Sequence, residues 1–230
     1  EAMDEDRKQP VVLSVDIGGS HVKILTSAGG APRRVVSGPD MDAAAMADAV
    51  EQLAQGLPFD VISIGYPGPV VHDRIVAEPH NLAHGWVAYD FARRFGKPLK
   101  IVNDALMQAV GSYDGGRMLF LGLGTGLGAA MIVDNVAQPL EIAHLPYRKG
   151  RTFEDYLGNA GLERRGRKKW EKHVCAAVEK LTQALEPDYV VIGGGNAAKL
   201  HRLPEKSRRG DNMNAFKGGF ALWLDRNLRV

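Results

Sequence analysis

The chain has 230 residues, 45% of them hydrophobic and 24% charged, with 29 Lys and Arg against 27 Asp and Glu. This is the balance of an ordinary globular protein, long enough for a real core in one large domain or two lobes, and a formal charge of +2 favours no class of partner. No apolar run approaches the ~20 residues of a membrane helix, the single Cys175 excludes an internal disulfide and a cysteine-rich zinc site, and the polar opening EAMDEDRKQP has no signal-peptide apolar core. A cytoplasmic protein is expected.

Alternating and continuous apolar runs predict strands at 11–16, 21–26 and 33–37. A helix follows, with Asp40 as its N-cap, Met41, Ala45, Met46, Ala49, Val50 and Leu53 on one face and Gly56 at its end. A buried strand is predicted at 61–65, a helix at 87–95 closed by Gly96, and a strand at 99–102 running into Asn103-Asp104. The second half begins as the first does, with strands at 118–123 and 129–133 across a glycine turn, then a strand at 136–140. One long helix is predicted over 162–185, stopped by Pro187, followed by a strand at 189–192 and a last amphipathic helix carrying Phe216, Phe220, Trp223 and Leu224.

The order of the first half thus recurs in shortened form. Two similar lobes with a ligand cleft between them are expected, residues 1–110 and 111–230. The boundary is expected near 105–111, and the last helix, about 212–226, is expected to pack back on the first lobe.

Two glycine turns carry the chemistry. In VVLSVDIGGS, Asp16 ends a strand beside Gly18, Gly19 and Ser20. Bare glycines let backbone N–H groups close on an anion, and a carboxylate there suits Mg²⁺ held through water; an ordinary hairpin turn is the alternative. Lys23, on the return strand, joins this phosphate-binding set. In LFLGLGTGLG, Gly124, Thr125, Gly126 and Gly128 form a second candidate cradle. A strand rather than a helix follows it, which argues against a dinucleotide-binding unit. Gly193, Gly194, Gly195 and Asn196 follow a strand and open a helix, a floor for a phosphate or nucleotide or a plain strand-to-helix turn.

Asp104, at a strand end, is a candidate general base or an ordinary helix N-cap. Glu141 and His144, three apart in EIAH, could fork onto neighbouring sugar hydroxyls or be surface residues, and no third zinc ligand lies nearby. Basic clusters at 148–151, 164–172 and 206–209 read as solvated surface or as a track for a polyanion. They lack interleaved aromatics and no helix-turn-helix is apparent, so nucleic acid is not an expected partner.

These pieces, in this order, resemble the ROK family of sugar kinases within the actin-like ATPase superfamily. DIGGS resembles its first phosphate loop, GYPGPV at 65–70 its GxPG segment, and PHNLAHGW at 79–86 its sugar-side segment, which makes Asn81 a sugar contact. VNDA is similar to the strand end that bears the catalytic aspartate, GLGTGLG to the second phosphate loop, and VIGGGN to the adenosine-side loop. EIAH is similar to the ExGH sugar motif with Ala143 in place of glycine, and Glu154 in FEDYLG to the acidic residue that completes the sugar pocket. The cysteine-rich zinc stretch of many members is absent after His144, so no zinc is expected. The compact length, the basic helix and the tail RGDNMNAFKGGFALW resemble the polyphosphate glucokinase branch.

The resemblance implies an α/β, actin-like/ribonuclease H-like two-lobed kinase, a glucokinase using ATP or polyphosphate with Mg²⁺. Asp104 would serve as base, and Asn81, Asn103, Glu141, His144 and Glu154 would hold the sugar. It also implies a homodimer. A sugar-binding regulator without turnover, or a kinase for another hexose or amino sugar, is the alternative.

Overall fold

The computed structural model describes residues 8–230, and these pack as two compact units. Unit 1 runs to Val102 and takes in Gly219–Arg226; unit 2 is Asn103–Gly218 with Asn227–Val230.

In unit 1 the strands β1 (Val12–Ile17), β2 (His21–Thr26), β3 (Arg33–Val36), β4 (Val61–Tyr66) and β7 (Leu99–Asn103) form a sheet ordered β3-β2-β1-β4-β7. A hairpin, β5 (Val70–Val71) and β6 (Arg74–Ile75), lies outside it. Every residue of β1 and β4 is buried, as expected of central strands covered on both faces. β1 runs antiparallel to β2 and parallel to β4, and this ladder sets Asp16 opposite Lys23 on one side and Gly65 on the other. Helix α1 (Ala43–Leu53) buries Ala43, Met46, Ala47 and Val50, so Ala45, predicted on the inner face, is exposed. Its N-cap is Asp42, not Asp40: a turn from Gly38 O to Met41 N occupies the residues before it, and Asp42 Oδ1 accepts from Ala45 N. Helix α2 is only Phe91–Phe95, capped by Asp90, and not the predicted 87–95. The N–H groups of Val87 and Tyr89 are already bonded to Glu78 and Trp86, which leaves the segment before Asp90 in turns.

Unit 2 repeats the sheet order. β8 (Arg117–Leu123), β9 (Leu127–Val133), β10 (Val136–Pro139), β13 (Tyr189–Gly193) and β14 (Ser207–Arg209) lie as β10-β9-β8-β13-β14. Gly122 takes the place in β8 that Asp16 has in β1, paired with Gly128 and Gly193. A short hairpin, β11 (Pro146–Arg148) and β12 (Arg151–Thr152), precedes helix α4 (Phe153–Leu157), whose Thr152 cap and Asp155 form a reciprocal capping box. The predicted helix over 162–185 is two helices, α5 (Asn159–Arg165) and α6 (Arg167–Leu185), because Gly166 at φ 72° turns the chain. α6 buries Trp170, Val174, Ala177, Val178 and Leu181 at helical spacing, and the Trp170 indole donates to Leu157 O at 2.9 Å. Gly193–Gly195 open a single 3₁₀ turn at Ala197–Lys199, not a helix.

Helix α3 (Asp104–Ser112) packs within unit 2, and the first crossing falls at Val102–Asn103, a few residues before the 105–111 stretch. The last helix, α7 (Asn214–Leu224), supplies its first residues to unit 2 and those from Gly219 on to unit 1. In unit 2 a Cβ at Gly218 would overlap Met107 O of α3; in unit 1 a Cβ at Gly219 would overlap Ser14 Oγ of β1, and Ser63 Oγ donates to Gly219 O at 2.6 Å.

Candidate active site

In unit 1 the candidate residues gather at the end of β1. Asp16 is 9% exposed, with Lys23 Nζ 3.7 Å from its Oδ2. Burial pushes its carboxyl above the ordinary carboxylate range, and the Lys23 ammonium, itself half-exposed, only partly offsets this. A buried carboxylate whose charge is under-compensated fits a divalent cation, and Mg²⁺ is usually held by one or two carboxylates together with substrate phosphates and water. The glycine turn after it is already knit. Gly18 N donates to His21 O at 2.9 Å, and Ser37 Oγ donates to Gly18 O at 2.6 Å. The N–H that the sequence assigned to a phosphate at Gly18 therefore serves the turn. Gly19 and Ser20 stand at its tip, where Asn81 Cβ lies 3.4 Å from the position of a Cβ on Gly19. The predicted sugar contact and the first glycine loop are neighbours.

Other candidate residues lie in unit 2. Asn103, not Asp104, caps α3: its Oδ1 accepts from Leu106 N at 3.1 Å. Asp104 follows as the first helical residue, its Oδ1 accepting from Ala105 N at 2.8 Å. A Cβ on Gly128 would lie 2.6 Å from Ala105 Cβ. Gly128, expected in the phosphate cradle, is bare for the sake of α3, whose first turn it seats against β9.

The second glycine loop is held from three sides. Gly124 N donates to Gly126 O at 3.1 Å within the turn, and Asn159 N, at the start of α5, donates to the carbonyls of Gly124 and Thr125 at 3.0 and 3.2 Å. Buried Asn196 donates through Nδ2 to Gly124 O at 3.2 Å and through N to Leu123 O at 2.9 Å. Gly194 has φ 81°, and a Cβ there would strike Leu123 O. The loops at 124–126 and 193–196 are thus one structure, with Thr125 exposed at its tip. The third side is Glu154, whose Oε2 accepts from Leu127 N at 3.0 Å; a Cβ on Gly126 would overlap that oxygen.

Glu154 also anchors the EIAH turn. Its N donates to Ala143 O at 3.0 Å, next to a turn closed by Leu145 N and Ile142 O at 3.1 Å. Ile142 and Ala143 are buried beneath it, and Glu141 and His144 are exposed. One residue therefore joins the predicted sugar turn to the second phosphate loop. Asn196, expected at the floor of a phosphate or nucleotide, bonds Gly124 and Leu123, while Asn159 and Glu78, described below, were not singled out in the sequence.

Gly126→Ala is expected to act through Glu154 first, since the new methyl displaces its carboxylate. Both the sugar KM and the donor KM should rise, about 10-fold or more, in steady-state kinetics, an effect of the order that a misplaced site group produces. A rise in donor KM alone would contradict this.

Among the described residues no cluster of three His, Cys, Asp or Glu side chains is placed to hold a metal ion, and no helix is long and apolar enough to cross a membrane. In the basic segment, Arg164 and Arg165 both donate to Asp155 O, and Arg165 stacks 3.6 Å over the Tyr156 ring. Arg167, Lys168, Lys169 and Lys172 are exposed on α6.

The model of the ROK family matches residues 12–139. Polyphosphate glucokinase of Mycobacterium tuberculosis is 26% identical over 210 residues, spanning 83% of this chain and 74% of that one. The crystal structure of the inorganic polyphosphate/ATP-glucomannokinase of Arthrobacter sp. strain KM superposes with a TM-score of 0.81 at 22% identity, over 94% of this chain and 98% of that one. A ROK family glucokinase from Streptomyces griseus, in complex with glucose and AMPPNP, gives a TM-score of 0.77 at 16% identity, over 93% and 99%. The two-sheet α/β architecture is the actin-like sugar-kinase fold that the motifs implied.

Proposed function

The chain belongs to the ROK family and is a phosphotransferase, and from that premise we propose a glucokinase that moves a terminal phosphoryl group from ATP or polyphosphate to the 6-hydroxyl of a hexose. Asp104 accepts the hydroxyl proton as the phosphorus is attacked. Asn81, Asn103, Glu141, His144 and Glu154 hold the sugar. Asp16 and Lys23, with Gly19 and Ser20 at the first turn and the joined loops at 124–126 and 193–196, hold the phosphates. Asp16 would hold Mg²⁺, which neutralises charge on the transferred group when bound. Most of the acceleration in phosphoryl transfer is positioning and charge stabilisation. The observation that carries this reading is Glu154, which bonds the sugar turn through its N–H and the phosphate loop through its carboxylate.

The donor is the finer question. Arg167, Lys168, Lys169 and Lys172 form an exposed cationic face suited to an extended polyanion, whereas Arg164 and Arg165 are spent on Asp155. Hexose 6-phosphate formation from glucose and Mg²⁺, followed in parallel with ATP and with long-chain polyphosphate, tests both levels. Product from polyphosphate that falls when the four α6 cations are replaced by Gln supports the track. Product from ATP alone makes α6 a solvated face, and product from neither removes the glucokinase assignment.

A further inference from the structure

Glu78 belongs to none of the motifs above, yet its carboxylate gathers three consecutive backbone N–H groups. Oε2 accepts from Gly85 N at 2.9 Å and Trp86 N at 3.1 Å, and Oε1 accepts from Val87 N at 3.2 Å. These bonds hold the Glu78 carboxyl below its ordinary range, so it is ionised near neutral pH. The loop it closes is tied at other points too. Tyr66 Oη donates to Ala77 O at 2.9 Å, the fully buried Trp86 indole donates to Ala83 O at 2.7 Å, and Ala83 N donates to Met41 O at 3.1 Å. Between the Glu78 and Trp86 anchors Pro79 and Leu82 are buried, and exposed Asn81 comes against Gly19 of the first glycine loop. Without the carboxylate these N–H groups, two of them on exposed residues, would turn to water and the loop would lose the one acceptor they share.

We infer that Glu78 is a positioning residue for sugar recognition, fixing the loop so that Asn81 is presented at the first glycine turn. The inference rests on the reading of Asn81 as a sugar contact. Gln at this position keeps one acceptor oxygen, enough for Gly85 and Trp86, but turns an NH₂ toward Val87 N–H. Its effect should lie between those of Glu and Ala.

The test is a double-mutant cycle on the full chain, with glucose affinity measured by calorimetry and donor KM by kinetics. Glu78→Ala should weaken glucose binding about 10-fold and Glu78→Gln about threefold, with donor KM unchanged; on an Asn81→Ala background, Glu78→Ala should add less than about twofold, because the two act as one unit. Full multiplication of the two effects would overturn the inference. So would glucose affinity that responds to Asn81→Ala but not to either Glu78 variant, which leaves the sugar reading of Asn81 standing. An Asn81→Ala protein with normal glucose affinity overturns that reading and the inference with it. Should Glu78→Ala fail to fold, Glu78→Gln carries the same cycle.

Discussion

Asp104→Asn is expected to lower kcat by about 10²–10⁴-fold, the usual weight of a positioned general base, while the protein stays folded. The fold should survive because the helix cap is elsewhere. Asn103 accepts from Leu106 N, and an Asn at position 104 retains an oxygen for the bond to Ala105 N. What is lost is the capacity to take a proton from the sugar hydroxyl. Glucose KM should change far less than kcat, since the amide keeps the shape and a hydrogen-bonding oxygen. Steady-state kinetics beside a thermal melt separates the two effects. A variant that turns over within a few-fold of the parent would remove Asp104 from the chemistry.

Asp16→Asn should give a different signature, with activity lost and stability kept or raised. Burial raises the Asp16 carboxyl above its unfolded value, so the native state binds the proton more tightly than the unfolded one. Stability from this group is therefore present at acid pH and is lost as pH rises from the unfolded value through the raised folded value. At neutral pH without a divalent cation, the buried charge is a cost that Asn does not carry. The melting temperature of the variant should equal or exceed the parent's there, and the margin should shrink as pH falls toward about 4, where a solvated carboxylate takes up its proton. Turnover should drop by about 10²-fold or more, as expected on removing a group that places charge-neutralising metal at the phosphoryl group. Melts across pH with and without Mg²⁺, paired with kinetics, check this. A variant markedly less stable than the parent at neutral pH would mean that the Lys23 pair, at 3.7 Å, outweighs the burial cost.

The fold was legible where apolar period and glycine punctuation are strong. β1, β2, β8 and β9 are apolar-rich segments on either side of glycine turns, and both halves came through in order. The failures have local causes. Strands of two or three residues, as in the hairpins at 70–75 and 146–152, have no period to detect. α5 and α6 share an apolar rhythm across Gly166, and only its positive φ separates them. Asp40 and Asp42 are equal as caps on paper; the turn at Gly38–Met41 decides between them.

In the site, motifs located the loops but not the work each atom does. Glycine was read as room for phosphate. Gly128 instead makes room for Ala105 and Gly126 for the Glu154 carboxylate, while the N–H groups of Gly18 and Gly124 are used inside their own turns. Such roles depend on partners far away in sequence, as with Glu154 and Leu127, and no local pattern encodes them. Glu78 is the same case at shorter range: a lone acid before a proline, whose function appears only when three N–H groups fold back upon it.

The most direct test of the central claim is phosphorus NMR of the purified chain with Mg²⁺ and donor, recorded with and without glucose. Sugar phosphorylation predicts donor loss only when glucose is present, matched one to one by glucose 6-phosphate. Glucose binding with no donor consumption would contradict it and mark the chain as a sugar-binding regulator.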